Sequence, residues 1–156
     1  LRELNLSFNK LNDLPAFIGE LSALEKLNLS FNKLNDLPVF IGELSALEEL
    51  NLSFNDLTGQ IPECMGRLRA LEKLDLSFNG LPRVPDFIEA LTGLEELYLN
   101  SNKLTDIPDF LGNLSSLKYL NLSDNQLRRL PDSLQLLTNT RINTSDNPLE
   151  ERDPSF

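Results

Sequence analysis

The chemically distinctive side chains of this chain are its carboxylates, two tyrosines and one cysteine, and the sequence contains no histidine. Without histidine, neither a histidine-based nucleophile triad nor a histidine-ligated metal site can form. Cys64 is the only cysteine and lacks an evident base partner, so neither an internal disulfide nor an activated thiolate is expected. No glycine-rich phosphate-binding loop is present. The sequence therefore predicts no catalytic residue, no metal and no cofactor.

The two tyrosines are the best candidates for a recognition site. Tyrosine combines a large apolar ring with a hydrogen-bonding hydroxyl and is enriched at the energetic centres of protein interfaces. We predict a partner-binding cluster around them, although each ring could instead merely cover its neighbour's strand. The predicted cluster consists of Asp75, Glu96, Tyr98, Asn100, Tyr119, Asn121 and Arg141.

A repeated unit of about 23 residues, with the motif L-x-x-L-x-L-x-x-N-x-L, must position these side chains. Repeated units stack into a solenoid instead of folding around one central core. A shorter, degenerate copy at 139–156 has polar residues in place of leucines and predicts a C-terminal cap. The whole chain, 1–156, is therefore predicted to be a single domain. Its six full copies open at Leu1, Leu24, Leu47, Leu71, Leu94 and Leu117.

This motif is the signature of the leucine-rich repeat family, which the chain resembles over 1–149. The stretches between copies, such as 14–21, read L-P-x-x-I-G-x-L and are similar to the 23-residue subclass of intracellular scaffold and bacterial repeat proteins. Copy three has one extra residue, and its segment 57–62 resembles the plant-type repeat. The resemblance implies an α/β solenoid, or horseshoe, with a parallel β-sheet on the concave face and irregular or 3₁₀ segments on the convex face.

Alternation along each motif predicts which side chains face the core. The motif leucines point inward and the residues between them point outward, as strand geometry requires. The turn after each strand leaves backbone donors and acceptors unpaired, and a buried amide can satisfy both kinds while bridging to the next copy. We therefore interpret the motif asparagines as structural. They are Asn9, Asn32, Asn55, Asn79, Asn102 and Asn125.

Two outward rows carry charges across the predicted sheet. The row Glu3, Lys26, Glu49, Lys73 and Glu96 alternates in sign, which predicts a self-neutralising ladder on neighbouring strands. A bordering row stacks like charges, and is either simply solvated or able to steer a basic partner toward the concave face. That row consists of Glu25, Glu48, Glu72 and Glu95.

A third row lies where the strands end. It begins with Phe8, Phe31, Phe54 and Phe78 and continues with Ser101, Asp124 and Asp146. The four rings either stack on one another as a spine or form an exposed apolar strip that receives a partner. The two carboxylates alone are weak evidence for a cation site, because calcium binds six to eight oxygen atoms.

The net charge of −10 disfavours nucleic acid and anionic membrane surfaces as partners. No apolar run approaches the ~18 residues of a membrane span, and the lone cysteine is typical of a reducing compartment. A protein partner, neutral or basic, remains. We predict a non-catalytic protein–protein interaction module, acting as an intracellular scaffold or a bacterial effector.

Two alternatives are a ligand-sensing ectodomain similar to plant receptor repeats and a substrate-recognition arm of a larger enzyme. The full-length sequence on both flanks would separate them. The sequence leaves open the identity of the partner, the oligomeric state and whether Leu1 is a natural N-terminus.

Overall fold

The computed structural model describes residues 1–58 and 61–151. These residues form seven strands of three residues each, which pair in chain order as one parallel sheet. The register places the same repeat position side by side, as with Leu27 and Leu50. The predicted leucine-rich repeat solenoid with a parallel sheet is confirmed. The strands are β1 (Glu3–Asn5), β2 (Lys26–Asn28), β3 (Glu49–Asn51), β4 (Lys73–Asp75), β5 (Glu96–Tyr98), β6 (Tyr119–Asn121) and β7 (Arg141–Asn143).

Each return segment between strands contains a five-residue 3₁₀ helix that follows a proline. The six prolines have φ between −62° and −71°, so their rings preset the first turn. The predicted 3₁₀ segments are thereby confirmed. None of these helices in the described chain has the length and apolar character of a membrane span. The helices are Ala16–Glu20, Val39–Glu43, Glu63–Arg67, Asp86–Ala90, Asp109–Asn113 and Asp132–Leu136.

The motif leucines form one continuous core between neighbouring copies. Leu24 and Leu29 are fully buried and Leu27 is 2% exposed, as the alternation predicts. In the outermost copies burial is incomplete, since Leu4 and Ile142 each pack against the core while remaining partly exposed. Each interior copy is therefore stabilised mainly by its two neighbours, as expected for a solenoid.

The motif asparagines connect adjacent copies. Asn102 Nδ2 donates to the carbonyl oxygens of Leu76 and Leu99, both at 3.0 Å, and Asn102 Oδ1 accepts from the backbone N–H of Leu81 at 3.0 Å. The same set of bonds recurs in copies two to seven, whereas Asn9 bonds only within its own copy. The structural role is as predicted, but each amide reaches back to the preceding copy instead of forward to the next.

Two predicted segments extend beyond the described residues. Positions 59–60, within the plant-type stretch of copy three, lie outside them. So do positions 152–156 of the predicted cap. The described part of the cap contains β7 and the bond from Asn147 Nδ2 to the Leu122 carbonyl oxygen at 2.9 Å.

Candidate functional site

The solvent-facing side of the sheet, which we call the concave face, has a recurring turn motif at the strand ends. Asn28 Oδ1 accepts hydrogen bonds from the backbone N–H of Ser30 at 3.0 Å and from its hydroxyl at 2.7 Å. Such bonds stabilise the bend that follows each strand. Within the described chain the same residue pair, with Asp75 in place of asparagine in copy four, recurs in every copy except copy five.

Copy five departs from this motif at both positions. Tyr98 stands where the other copies have asparagine or aspartate, and Asn100 stands where they have serine. In consequence Asn100 Oδ1 is buried without a hydrogen-bond partner in the described structure. A buried unpaired polar atom costs about 1–3 kcal/mol. Local departures of this kind are expected at functional sites.

The two tyrosine rings lie side by side on adjacent strands. The ring centroids of Tyr98 and Tyr119 are 5.3 Å apart and the planes are inclined by 54°. Lys73 Nζ lies 5.6 Å from the Tyr98 centroid, and Arg141 Cζ lies 6.0 Å from the Tyr119 centroid. Both distances permit cation–π attraction. On β4 to β7 the side chains therefore follow one another as Lys73, Tyr98, Tyr119 and Arg141. The two half-buried rings lie between the two cations.

A shared carboxylate connects this aromatic pair to the charge ladder. The Tyr98 hydroxyl donates to Glu96 Oε2 at 2.8 Å, and Lys73 Nζ lies 3.3 Å from the same oxygen. Burial, followed by the bond to Glu96, raises the pKa of Tyr98 to about 12. The hydrogen bond from Tyr98, together with the Lys73 charge, lowers the pKa of Glu96. At neutral pH the phenol is therefore protonated and the carboxyl is ionised.

The sheet register brings all the predicted site residues onto one stretch of the concave face. Tyr98 lies between Asp75 and Asn121 in one row, and Tyr119 lies between Glu96 and Arg141 in the next. Asn100 follows β5 directly after Leu99. Their proximity is a structural fact, whereas their role in binding a partner stays a prediction.

Sequence reasoning missed Lys73 as a member of this cluster. The sequence pattern assigns it only to the neutral charge ladder, although its register position beside Glu96 places it within reach of Tyr98. The sequence did contain a signal for including Lys73. Tyr98 replaces the short asparagine of the other copies, and its long side chain can reach the neighbouring row that contains Lys73.

The alternating row forms discrete ion pairs. Lys26 Nζ lies 3.1 Å from Glu49 Oε1, and Lys73 Nζ lies 3.3 Å from Glu96 Oε2. All four side chains remain more than a third exposed, so each pair contributes little to stability. Their main effect is to keep the middle of the concave face close to neutral.

The glutamate row on the border is neutralised only at its ends. Arg2 pairs with Glu25 at 3.7 Å, and Lys118 pairs with Glu95 at 2.7 Å. The two central members have no ion pair among the described residues, and this border therefore keeps a negative charge. They are Glu48 and Glu72.

The phenylalanine row is stacked, as the spine interpretation predicts, and it is also exposed; that it receives a partner stays a prediction. Successive ring centroids are 4.0–4.2 Å apart with planes inclined by 10–11°. Phe54 is nevertheless 37% exposed and Phe8 is 73% exposed. Further along the row lie Asp124 and Asp146. Among the described residues no group of three or more His, Cys, Asp or Glu side chains is arranged to hold a metal.

Comparison with known families matches residues 1–98 to the family described as leucine-rich repeat region, and residues 85–149 to leucine rich repeat. Comparison with curated proteins gives no match. Several solved structures are similar to this chain. One is a leucine-rich repeat protein of Leptospira interrogans, with 36% identity and a TM-score of 0.77, covering 97% of this chain and 44% of that one.

Two further similar structures are an internalin and PEPR1–AtPEP1. The internalin, InlF of Listeria monocytogenes, has 25% identity and a TM-score of 0.82, and the match covers 97% of this chain and 43% of the internalin chain. The PEPR1–AtPEP1 structure has 31% identity and a TM-score of 0.83, and the match covers 97% of this chain and 23% of the matched chain in that structure. The present chain thus spans less than half the length of each of the three.

The fold shared with these structures is typically a non-catalytic interaction surface. The motif landmarks, the parallel sheet and the family match over residues 1–98 and 85–149 all agree. The chain belongs to the leucine-rich repeat family.

Proposed function

We propose that this chain is a non-catalytic module that binds a partner protein on its concave face, centred on Tyr98 and Tyr119. The observation that carries the proposal is the adjacent pair of half-buried rings, 5.3 Å apart. The other copies place asparagine, aspartate or charged residues at those positions. Two rings in contact provide a large apolar surface, and the Tyr119 hydroxyl has no hydrogen-bond partner among the described residues, which leaves it for a ligand.

The rigidity of the site supports the proposal energetically. The rings lie on strands whose backbone is held in the ladder, for example by the bond from Leu99 N–H to the Asn121 carbonyl oxygen at 2.9 Å. Lys73 and Arg141 restrict the rings from either side. A surface formed before binding avoids the entropic cost of ordering a loop. Truncation of a hot-spot residue, a class enriched in tyrosine, costs about 2 kcal/mol or more of binding free energy.

The charges favour a basic partner. Glu48 and Glu72 remain without ion pairs among the described residues, and the chain carries a net charge of −10. A field of this sign accelerates the encounter with a positively charged surface and weakens as salt is added. We therefore expect the association rate with the partner to fall as the salt concentration rises. A rate insensitive to ionic strength would contradict a basic partner while leaving the tyrosine site intact.

An intracellular scaffold and a bacterial effector both fit this proposal. The similarity to a Leptospira protein and a Listeria internalin supports the bacterial alternative. Two observations favour a second candidate function, a ligand-sensing ectodomain: the segment 57–62 of copy three resembles the plant-type repeat, and a structure described as a TDR receptor is 33% identical to this chain. Cysteine-clamped caps and a membrane span in the flanking sequence would support the ectodomain, and their absence from the full-length protein would support the scaffold or effector.

Affinity capture with the immobilised intact chain tests the binding face. The Tyr98→Ala/Tyr119→Ala variant should retain the fold, checked by circular dichroism, and should bind the captured partner at least about tenfold more weakly. Asn28→Ala/Glu49→Ala is the matched control, because these residues occupy the same two rows three copies earlier. Unchanged affinity in the tyrosine variant, or an equal loss in the control, would refute the assignment.

A further inference from the structure

We propose that Phe8, Phe31, Phe54 and Phe78, which we call the phenylalanine rim, form a second docking surface. Its occupant is an extended segment of a partner protein that carries apolar side chains followed by an arginine or lysine. The rim lies beside the concave face and occupies copies one to four, whereas the tyrosine pair lies in copies five and six. The two surfaces can therefore be altered independently.

The fold does not require rings at this position. The backbone is left-handed in all seven copies, with φ between 52° and 57°, a conformation in which bulky side chains are genuine outliers. Asp124 adopts it at φ 52° and donates its N–H to the Ser145 carbonyl oxygen at 3.0 Å. Phe31 makes the equivalent bond to Ser53 at 3.0 Å. The turn therefore forms without a ring, so the backbone geometry alone does not explain the phenylalanines.

The rim presents a continuous apolar surface. The rings cover one another's faces, but their edges remain 37–73% exposed across four successive copies. They line an open groove of about 800 Å³, and the groove also includes Lys33 and Lys103. Lysine stems extend apolar surface while their charges stay in water. A contiguous exposed apolar strip of this kind marks an interaction site.

The far end of the same row favours a positive charge at that end of the occupant. Asp124 and Asp146 are exposed and form no ion pair with any described residue. Asp124 lies two copies beyond Phe78, which is roughly 10 Å at ~4.8 Å per strand. An extended peptide covers that distance in about three residues, at ~3.3 Å each. The complementary segment therefore has apolar side chains at alternate positions over the rings and a basic residue about three positions further on.

A library of random short peptides displayed on phage and selected against the intact protein supplies the probe. Selected peptides are then synthesised with a fluorophore and measured by anisotropy. We expect a consensus of alternating apolar residues followed by Arg or Lys. Affinity should fall about tenfold or more in Phe31→Ser/Phe54→Ser, a substitution that copies Ser101, which keeps the same φ of 56° without a ring.

Two further variants separate the contributions. Asp124→Asn/Asp146→Asn should weaken binding severalfold at low salt and progressively less as salt increases. Tyr98→Ala/Tyr119→Ala should leave these peptides' affinity unchanged, so that failure of the rim and failure of the concave site are distinguishable. Circular dichroism should show that each variant is folded.

Several outcomes would overturn the proposal. Selection that yields no peptides, peptides without the apolar–basic pattern, or peptides that bind Phe31→Ser/Phe54→Ser as tightly as wild type would each do so. A concentration-dependent dimer in sedimentation that disappears in this variant would assign the rim to a second copy of the chain. Binding to phosphatidylcholine–phosphatidylserine vesicles that disappears in the variant would assign it to a membrane surface.

Discussion

The Tyr98 hydroxyl donates a hydrogen bond to Glu96 Oε2 at 2.8 Å, two residues away on the same strand. Both side chains face the same side because alternate residues of a strand share a face. The acceptor oxygen also lies 3.3 Å from Lys73 Nζ on the adjacent strand. This bond couples the aromatic pair to the charge ladder, so the pKa of Tyr98 reports directly on the geometry of the candidate site.

Replacing Glu96 with glutamine should lower the pKa of Tyr98 from about 12. Burial is the largest cause of the raised value and persists in the variant, so the pKa should remain above 10.0. Titration of tyrosinate absorbance in the ultraviolet measures the change, and Tyr98→Phe identifies the transition by removing it. An unaltered transition in Glu96→Gln would show that the carboxylate has no influence on the phenol.

The same pair predicts how stability depends on pH. The folded-state pKa of Glu96 lies below 4.5, so its contribution is present above the unfolded pKa and is lost as pH falls through the folded value. The folded-state pKa of Tyr98 is about 12, raised from 10.0, so its contribution is present below pH 10.0 and is lost as pH rises toward 12. Tyr98→Phe should therefore make the urea midpoint depend less strongly on pH, both on the acid limb and on the alkaline limb of the plot. Tyr119→Phe keeps the Tyr98–Glu96 bond and should retain the acid limb.

The sequence predicts the features that depend only on repeat period and strand alternation. The burial of Leu24 and Leu29, the order of the strands and the role of the motif asparagines all follow from these two regularities. The ion pair between Lys26 and Glu49 follows as well, because the fixed register places them side by side. In a solenoid, copy number and register together determine which residues share a row.

Features that depend on side-chain rotamers could not be predicted in this way. A row assignment places Lys73 next to Glu96, but it does not show that the ammonium group approaches the Tyr98 ring at 5.6 Å. Nor does it show that Asn100 Oδ1 is buried without a partner in the described structure. For the phenylalanine row, the sequence cannot decide between a spine and a strip because stacking and exposure are independent properties. Ring faces can be covered while ring edges remain in water.

The interior asparagines should differ in energetic importance from the first one. Asn102→Ala removes the acceptor of the Asn79 and Leu81 backbone N–H groups. The Leu76 and Leu99 carbonyl oxygens lose one donor each but keep the bonds from Asn79 and Asn125. Leaving two buried donors unpaired costs about 1–3 kcal/mol each, so we expect a loss of about 2 kcal/mol or more in the free energy of unfolding. Asn9→Ala is the control, because Asn9 is exposed and bonds only within copy one; its loss should be about 1 kcal/mol or less. Equal losses in urea denaturation would contradict the bridging role.

Close packing of the 3₁₀ helices should make Gly42 intolerant of a side chain. A Cβ atom there would lie 2.7 Å from the Cys64 carbonyl oxygen of the following copy, and displacing that backbone costs about 1–3 kcal/mol. Gly93→Ala is the matched control, since its Cβ would meet nothing nearer than 3.7 Å. The control should be neutral or stabilising by up to about 1 kcal/mol. Thermal unfolding of the two variants measures the difference, and a neutral Gly42→Ala would show that adjacent helices can separate freely.

Asn100→Ala should stabilise the fold, because it removes a buried polar atom without putting another in its place. Serine, the residue of the other copies, would not serve here, since Tyr98 offers no equivalent of the bond between Ser123 and Asn121. The gain comes from removing the buried, unpaired Oδ1 atom, and should be about 1 kcal/mol in the free energy of unfolding. Ser123→Ala tests the opposite case and should cost about 1 kcal/mol, because it deletes a hydroxyl that is bonded at 2.7 Å. A destabilised Asn100→Ala variant in urea denaturation would mean that the amide contributes favourable packing that outweighs its unpaired oxygen, and the unpaired atom would then be no net cost at the tyrosine site.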